Sequence, residues 1–179
     1  KGVLGGLVHY ENMFTALNYL GMAIRKQPYM GVGRSLAYTK SIYNSVGGFS
    51  AHHHIPAGDD DLFVQSVATN SNTAVVINPE AYIDSIGPKN FQAYWRQRMR
   101  HLWVGKFYKS GISFKLAILP FLNLLFWIGV MAFYFFSSSW LYPTGLILLK
   151  FLPEWILFFK KSTLLSMPIA APFYPFWNL

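Results

Sequence analysis

The sequence predicts an incomplete α/β domain followed by C-terminal transmembrane or interfacial helices, on three features of its 179 residues. The first two thirds alternate helix-spaced apolar segments with short β-branched or glycine-flanked runs, a mixed pattern. From Leu116 to Leu149 there is no Asp, Glu, Lys, Arg or His, and a helical bilayer span needs only about 20 apolar residues. Basic residues crowd where the two parts meet. The expected boundary is therefore at residue 110, with 1–110 as the mixed domain and 111–179 as the membrane region.

Between Tyr10 and Ile24, apolar residues recur at Met13, Ala16, Leu17, Leu20 and Ile24, the spacing of a helix with one buried face. Its expected partner is a sheet. Gly31 and Gly33 read as a turn into a short strand through Leu36, Ala37 and Tyr38, and Gly47-Gly48 breaks the chain before Phe49. Ser50 to Gly58, small and polar with three consecutive histidines, suits an exposed loop. Asp59 to Ala68 enters a helix whose acidic start complements the helix dipole. Thr73 to Ile77, β-branched and closed by Asn78-Pro79, predicts a buried strand.

Asn90 to Phe107 predicts a helix with Phe91, Trp95, Met99, Leu102 and Trp103 on a broad apolar side. Gln97, Arg100 and His101 stand at i, i+3 and i+4 and share a neighbouring face. Leu116 to Phe136 is the first expected membrane span, and Ser137 to Tyr142 a short polar break with aromatics suited to the headgroup region. Lys150, Pro153 and Glu154 interrupt the next apolar stretch, yet Lys160-Lys161 supplies a second basic edge, so 143–159 reads as a return span. Pro168, Pro172 and Pro175 disfavour a continuous helix in the tail.

Fifteen Lys and Arg against seven Asp and Glu give a formal charge of +8. Arg96, Arg98, Arg100, Lys106, Lys109 and Lys115 lie just ahead of the apolar run, where cytoplasmic flanks meet anionic headgroups. No base-reading module accompanies them, which argues against nucleic acid as a partner. Cysteine is absent, excluding disulfides and Cys-ligated zinc. The start at Lys1-Gly2-Val3, without an initiator Met, leads us to expect a piece of a longer chain.

Gly31-Val-Gly-Arg-Ser has no Lys-Ser or Lys-Thr after it and is not a P-loop. His52, His53 and His54 diverge as neighbours in sequence and have no second cluster to complete a metal shell. Asp59, Asp60 and Asp61 crowd three carboxylates, which raises the cost of ionising all of them and points to chemistry or a cation. Their spacing is not that of an EF-hand loop.

In this order, Tyr29 to Tyr38, Gly47-Gly48-Phe49, Gly58-Asp59-Asp60-Asp61-Leu62, Pro88 and Gln97-x-x-Arg100 resemble the second half of a membrane-bound family 2 glycosyltransferase catalytic domain, of GT-A type, over about Tyr10 to Lys109. The resemblance implies inverting transfer from a nucleotide sugar to a glycan or lipid-linked acceptor, at the cytoplasmic face of a lipid bilayer. It makes Asp60 the general base, with Asp59 orienting it or tuning its charge. It places Gln97, Arg100 and His101 beside the acceptor and the departing diphosphate, the guanidinium offsetting developing charge. Two positions depart from the family pattern: His101 replaces the Trp that follows the motif's Arg and stacks on acceptor sugars in processive members, and Ser35 stands where many relatives carry Asn. The family's nucleotide-binding first half, with its Asp-x-Asp for Mg or Mn, has no counterpart here. The divalent metal is therefore expected in the parent chain, with no metal ligand assigned in this one. The competing expectation is a non-catalytic membrane subunit that keeps an acceptor-binding shell.

Overall fold

A computed structural model describes residues 3–55 and 58–164. Among the described residues six α-helices carry the architecture: α1 (Val3–Ile24), α2 (Lys40–Ser45), α3 (Asp61–Val67), α4 (Phe91–Val104), α5 (Ser110–Phe136) and α6 (Leu141–Leu164). Short 3-10 turns cover Gly33–Ser35, Pro79–Ala81 and Gly105–Phe107.

The α/β expectation is corrected: among the described residues there is no strand, and the fold is all-helical. Val32, Leu36 and Asn78 do hold extended dihedrals, with φ/ψ of −110/115, −113/127 and −132/127. Extended backbone becomes a strand only when a second segment completes its hydrogen-bond ladder, and none does so here. Thr73 to Ile77 is not buried either, since Val76 is 70% exposed. Helix α1 consequently packs on no sheet. It meets α4 through an ion pair between Glu11 and Arg98.

The chain divides into two compact units, Lys1–Ile112 and Ser113–Leu179. In the first, α1 buries Tyr10, Met13 and Ala16, one face at intervals of three residues. Phe63 of α3, 1% exposed, is ringed by Tyr38, Tyr43 and Phe49 at centroid distances of 4.6, 6.1 and 5.5 Å. Ile55, Leu62 and Val104 form a second cluster against which Tyr108 packs.

The glycine pair that breaks the chain after α2 does so through left-handed backbone, at φ +71° for Gly47 and +64° for Gly48. Both amides cap the helix, Gly47 N–H reaching Asn44 O at 3.1 Å and Gly48 N–H reaching Tyr43 O at 2.9 Å. A Cβ on Gly48 would also lie 2.5 Å from Tyr43 Cζ. Gly48→Ala should therefore destabilise the protein by about 1–3 kcal/mol, combining left-handed strain with displacement of an aromatic ring. Thermal unfolding checks this, with a visible fall in Tm expected.

In the second unit α5 and α6 run antiparallel from the turn at Ser137–Trp140. Tyr134 Oη meets Thr144 Oγ1 at 2.8 Å, and the Phe133 and Tyr142 rings stack at 6.3 Å. Further along, Lys150 Nζ lies 5.2–5.6 Å from the ring centroids of Phe126, Trp127 and Phe151 and 3.0 Å from Glu154 Oε1. The residues expected to interrupt α6 thus pair within it, one turn apart, and the helix continues through Pro153. Among the described residues α5 alone is long and apolar enough to cross a membrane. The proline-rich tail, 165–179, lies outside the described residues.

Candidate active site

Helix α3 begins at the acidic triplet because Asp60 caps it. Asp60 Oδ1 accepts from the Asp61 N–H at 2.8 Å, satisfying a donor that a helix N-terminus leaves open. Its other oxygen, Oδ2, accepts from the Gly33 N–H at 3.1 Å. The turn at Gly33–Ser35 and the start of α3, 27 residues apart, thereby fix one carboxylate between them. Each carboxylate oxygen has two lone pairs, so these two N–H groups orient Asp60 and leave each oxygen able to accept a proton.

Helix α4 starts at Asn90, whose side chain accepts from the Ala93 N–H at 2.8 Å. It turns Tyr94 and Val104 into the body of the unit and leaves Gln97, Arg100 and His101 exposed. The imidazole of His101 feels four influences. Partial desolvation lowers its pKa most, the Arg100 guanidinium lowers it next, the Asp60 carboxylate raises it, and Arg34 lowers it. Asp60, Arg34, Arg100 and His101 therefore share one electrostatic neighbourhood, although α3 and α4 are distant in sequence. The net direction keeps His101 uncharged near neutral pH, able to donate or accept a hydrogen bond without adding a cation.

Asp59 is exposed and presents its carboxylate to solvent. The Asp60 carboxylate is oriented by the backbone amides of Gly33 and Asp61. His52 to His54 form no convergent shell: His53 Nδ1 lies 2.7 Å from Ser50 O, and its ring meets that of His54 edge-on. Among the described residues no group of three or more His, Cys, Asp or Glu side chains is placed to hold a metal ion.

Sequence reasoning placed Asp61 in the acidic triplet but gave it no role of its own. Its carboxylate is 5% exposed, receives the Tyr108 hydroxyl on Oδ2, and has no hydrogen-bond partner on Oδ1. One turn later Gln65, also buried, accepts the Lys109 N–H at 3.1 Å, and its carbonyl accepts Lys109 Nζ at 2.6 Å. Two neighbours, Tyr108 and Lys109, are thus clasped by two residues on one face of α3. The spacing of Asp61 and Gln65 at i and i+4 was the available signal; their partners, more than forty residues away, were not.

Burial pushes the Asp61 carboxyl up to about 7, opposed by the Tyr108 hydrogen bond and reinforced by the charges of Asp60 and Asp59. Burial and then the Asp61 charge also raise the hydroxyls of Tyr108 and Tyr29, the latter to about 12. The unfolded chain releases the Asp61 proton near pH 4 and the folded chain near 7, so the folded state binds more protons in that window. The stability contributed by Asp61 is full below pH 4 and is lost as pH rises through 7. Asp61→Asn should flatten the decline of Tm across pH 4 to 7, measured by thermal unfolding at each pH.

A family model described as glycosyl transferase family group 2 matches residues 7–175. No curated protein and no solved structure matches the chain.

Proposed function

The chain belongs to glycosyl transferase family group 2, whose members transfer sugars, and from that membership we propose an inverting transfer with Asp60 as general base. The donor is a nucleotide sugar and the acceptor a glycan or lipid-linked hydroxyl. An acceptor hydroxyl loses its proton to a free lone pair of Asp60 as its oxygen attacks the anomeric carbon. The bond from that carbon to the diphosphate oxygen breaks, and the nucleoside diphosphate leaves with the electron pair. Arg100 offsets the charge that builds on the diphosphate oxygens, a term realised mainly in the transition state. Gln97 and neutral His101 hydrogen-bond the acceptor from the same side of α4. Asp61 positions the base without touching substrate.

The observation that carries this reading is the Asp60 carboxylate, fixed by two backbone amides, acting on His101 within the Gln97–Arg100 helix. Cytoplasmic exposure is supported by the Lys and Arg residues that precede α5, since such flanks stay on the cytoplasmic side. The test uses the full-length protein that carries this sequence, in membrane vesicles supplied with a set of nucleotide sugars. Release of nucleoside diphosphate with inversion at the anomeric centre, followed by NMR of the first product, is the expected result. Retention of configuration would refute the mechanism, and failure to consume any donor would refute the activity.

A further inference from the structure

Arg34 stands beside the base without being paired to it. The Gly33–Ser35 turn is closed by the Ser35 N–H donating to Val32 O at 2.7 Å, and it is tied to α3 through the Gly33 N–H on Asp60 Oδ2. The tie is close, since a Cβ added to Gly33 would lie 3.6 Å from that oxygen. The next residue in the chain is an exposed arginine. Among the described residues no carboxylate pairs with its guanidinium; the ion pairs there are Arg98–Glu11 and Lys150–Glu154. Both oxygens of Asp60 already hold backbone amides, so the acidic group tied to this turn leaves the cation available. Its field reaches two further elements. It opposes the burial that raises the Tyr19 hydroxyl on α1, and it adds to desolvation and Arg100 in lowering His101 on α4. Tyr19, Arg34, Asp60 and His101, from four elements, thus converge on one place, and the transfer step uses neither Arg34 nor Tyr19.

The geometry points to Arg34 as the residue that binds an anionic group of the acceptor, a carboxylate or phosphate close to the attacking hydroxyl, and so selects acidic acceptor glycans over neutral ones. This deepens the transferase reading and rests on it. An inverting displacement puts the entering hydroxyl and the departing diphosphate on opposite faces of the anomeric carbon. A cation carried by the turn that holds the base therefore belongs to the entering side, and Arg100 to the leaving side. The field of Arg34 on His101, which hydrogen-bonds the acceptor, fits the same assignment. Charge complementarity decides the ligand. A guanidinium presents N–H donors in a planar fork that matches two oxygens of a carboxylate or phosphate. A neutral glycan leaves that fork in water, whereas an oxyanion gains a charge-assisted contact. Tyr19 adds a hydroxyl to the same wall, one more donor for such an anion.

The experiment compares acceptors that differ in one group. Alkyl glycosides of glucose, galactose and mannose, each as the neutral sugar, the uronate and the 6-phosphate, are titrated into the solubilised full-length protein, as wild type, Arg34→Ala and Arg34→Lys. Binding is read from the His101 imidazole by NMR, and KM from donor consumption. At least one anionic glycoside should bind wild type about tenfold or more tighter than its neutral counterpart. Whichever anion gains more, carboxylate or phosphate, names the acidic group. Arg34→Ala should bring that ratio to about one, and Arg34→Lys should restore part of it, because an ammonium returns the charge without the planar fork. Should Arg34→Ala fail to fold, Arg34→Gln takes its place, removing the charge while keeping a polar stem. Equal affinity of wild type for neutral and anionic forms overturns the proposal. So does a ratio that survives loss of the Arg34 charge, including the case in which donor affinity falls instead, the mark of a contact to the diphosphate. An anion preference lost with Arg34 in a protein that consumes no donor upholds the subsite and refutes the transfer, whereas turnover of neutral and anionic acceptors with equal KM does the reverse.

Discussion

Asp60→Asn in the full-length protein lowers kcat by about 10²–10⁴-fold, the usual contribution of a positioned general base. The substitution is chosen to isolate proton transfer. Asn is as good a helix cap as Asp, so α3 keeps its start, and the side-chain oxygen can still accept one of the two backbone N–H groups that hold Asp60. The amide nitrogen has no lone pair to offer the acceptor proton. Donor affinity should stay within about twofold, because the loss falls on the chemical step and not on ground-state binding. Initial rates at saturating donor, with donor binding measured separately, check both halves. A second readout needs no turnover: the Asp60 charge raises the His101 pKa, so neutralising it should move His101 further down, as followed by NMR of the imidazole.

Arg100→Ala should cost about 10²–10³-fold in kcat, the magnitude seen when one donor aimed at developing negative charge is removed. Arg100→Lys should recover part of this. It restores charge but not the planar fork that meets two phosphate oxygens at once. Here His101 moves the other way. The guanidinium is its second-largest depressing influence, so its pKa should rise in Arg100→Ala and rise less in Arg100→Lys. Opposite shifts at one imidazole from changes on two separate helices would mark the shared neighbourhood independently of activity.

The helices were legible because their signals are local. The helical recurrence from Asn90 to Phe107 marks α4 from the sequence alone, as the recurrence from Tyr10 marks the middle of α1. The strands were not, because strand formation belongs to two segments at once. Thr73 to Ile77 has the right residues, but no second segment among those described pairs with it. In α6 the apparent interruption dissolves once Lys150 and Glu154 are seen as a pair one turn apart, beside the rings of Phe126 and Trp127. At the site, crowding marked the acidic triplet and register grouped Gln97, Arg100 and His101, while the choice of Asp60 and Arg100 among them came from the family resemblance. The pairing of Asp61 with Tyr108 could not be read, since nothing near either residue names the other. Periodicity found the apolar side of α4 correctly. That this side faces outward is a property of the packing, in which Tyr94 and Val104 take the interior positions.

The claim on which the rest depends is that Asp60 and Arg100 serve one transition state. A double-mutant cycle on kcat, comparing wild type, Asp60→Asn, Arg100→Ala and the combined variant in the same vesicles, tests it most directly. Groups acting as a unit are strongly non-additive, so the combined variant should be little slower than the slower single one. A combined loss equal to the product of the two single losses would contradict the account, because it would mean that each residue acts without the other.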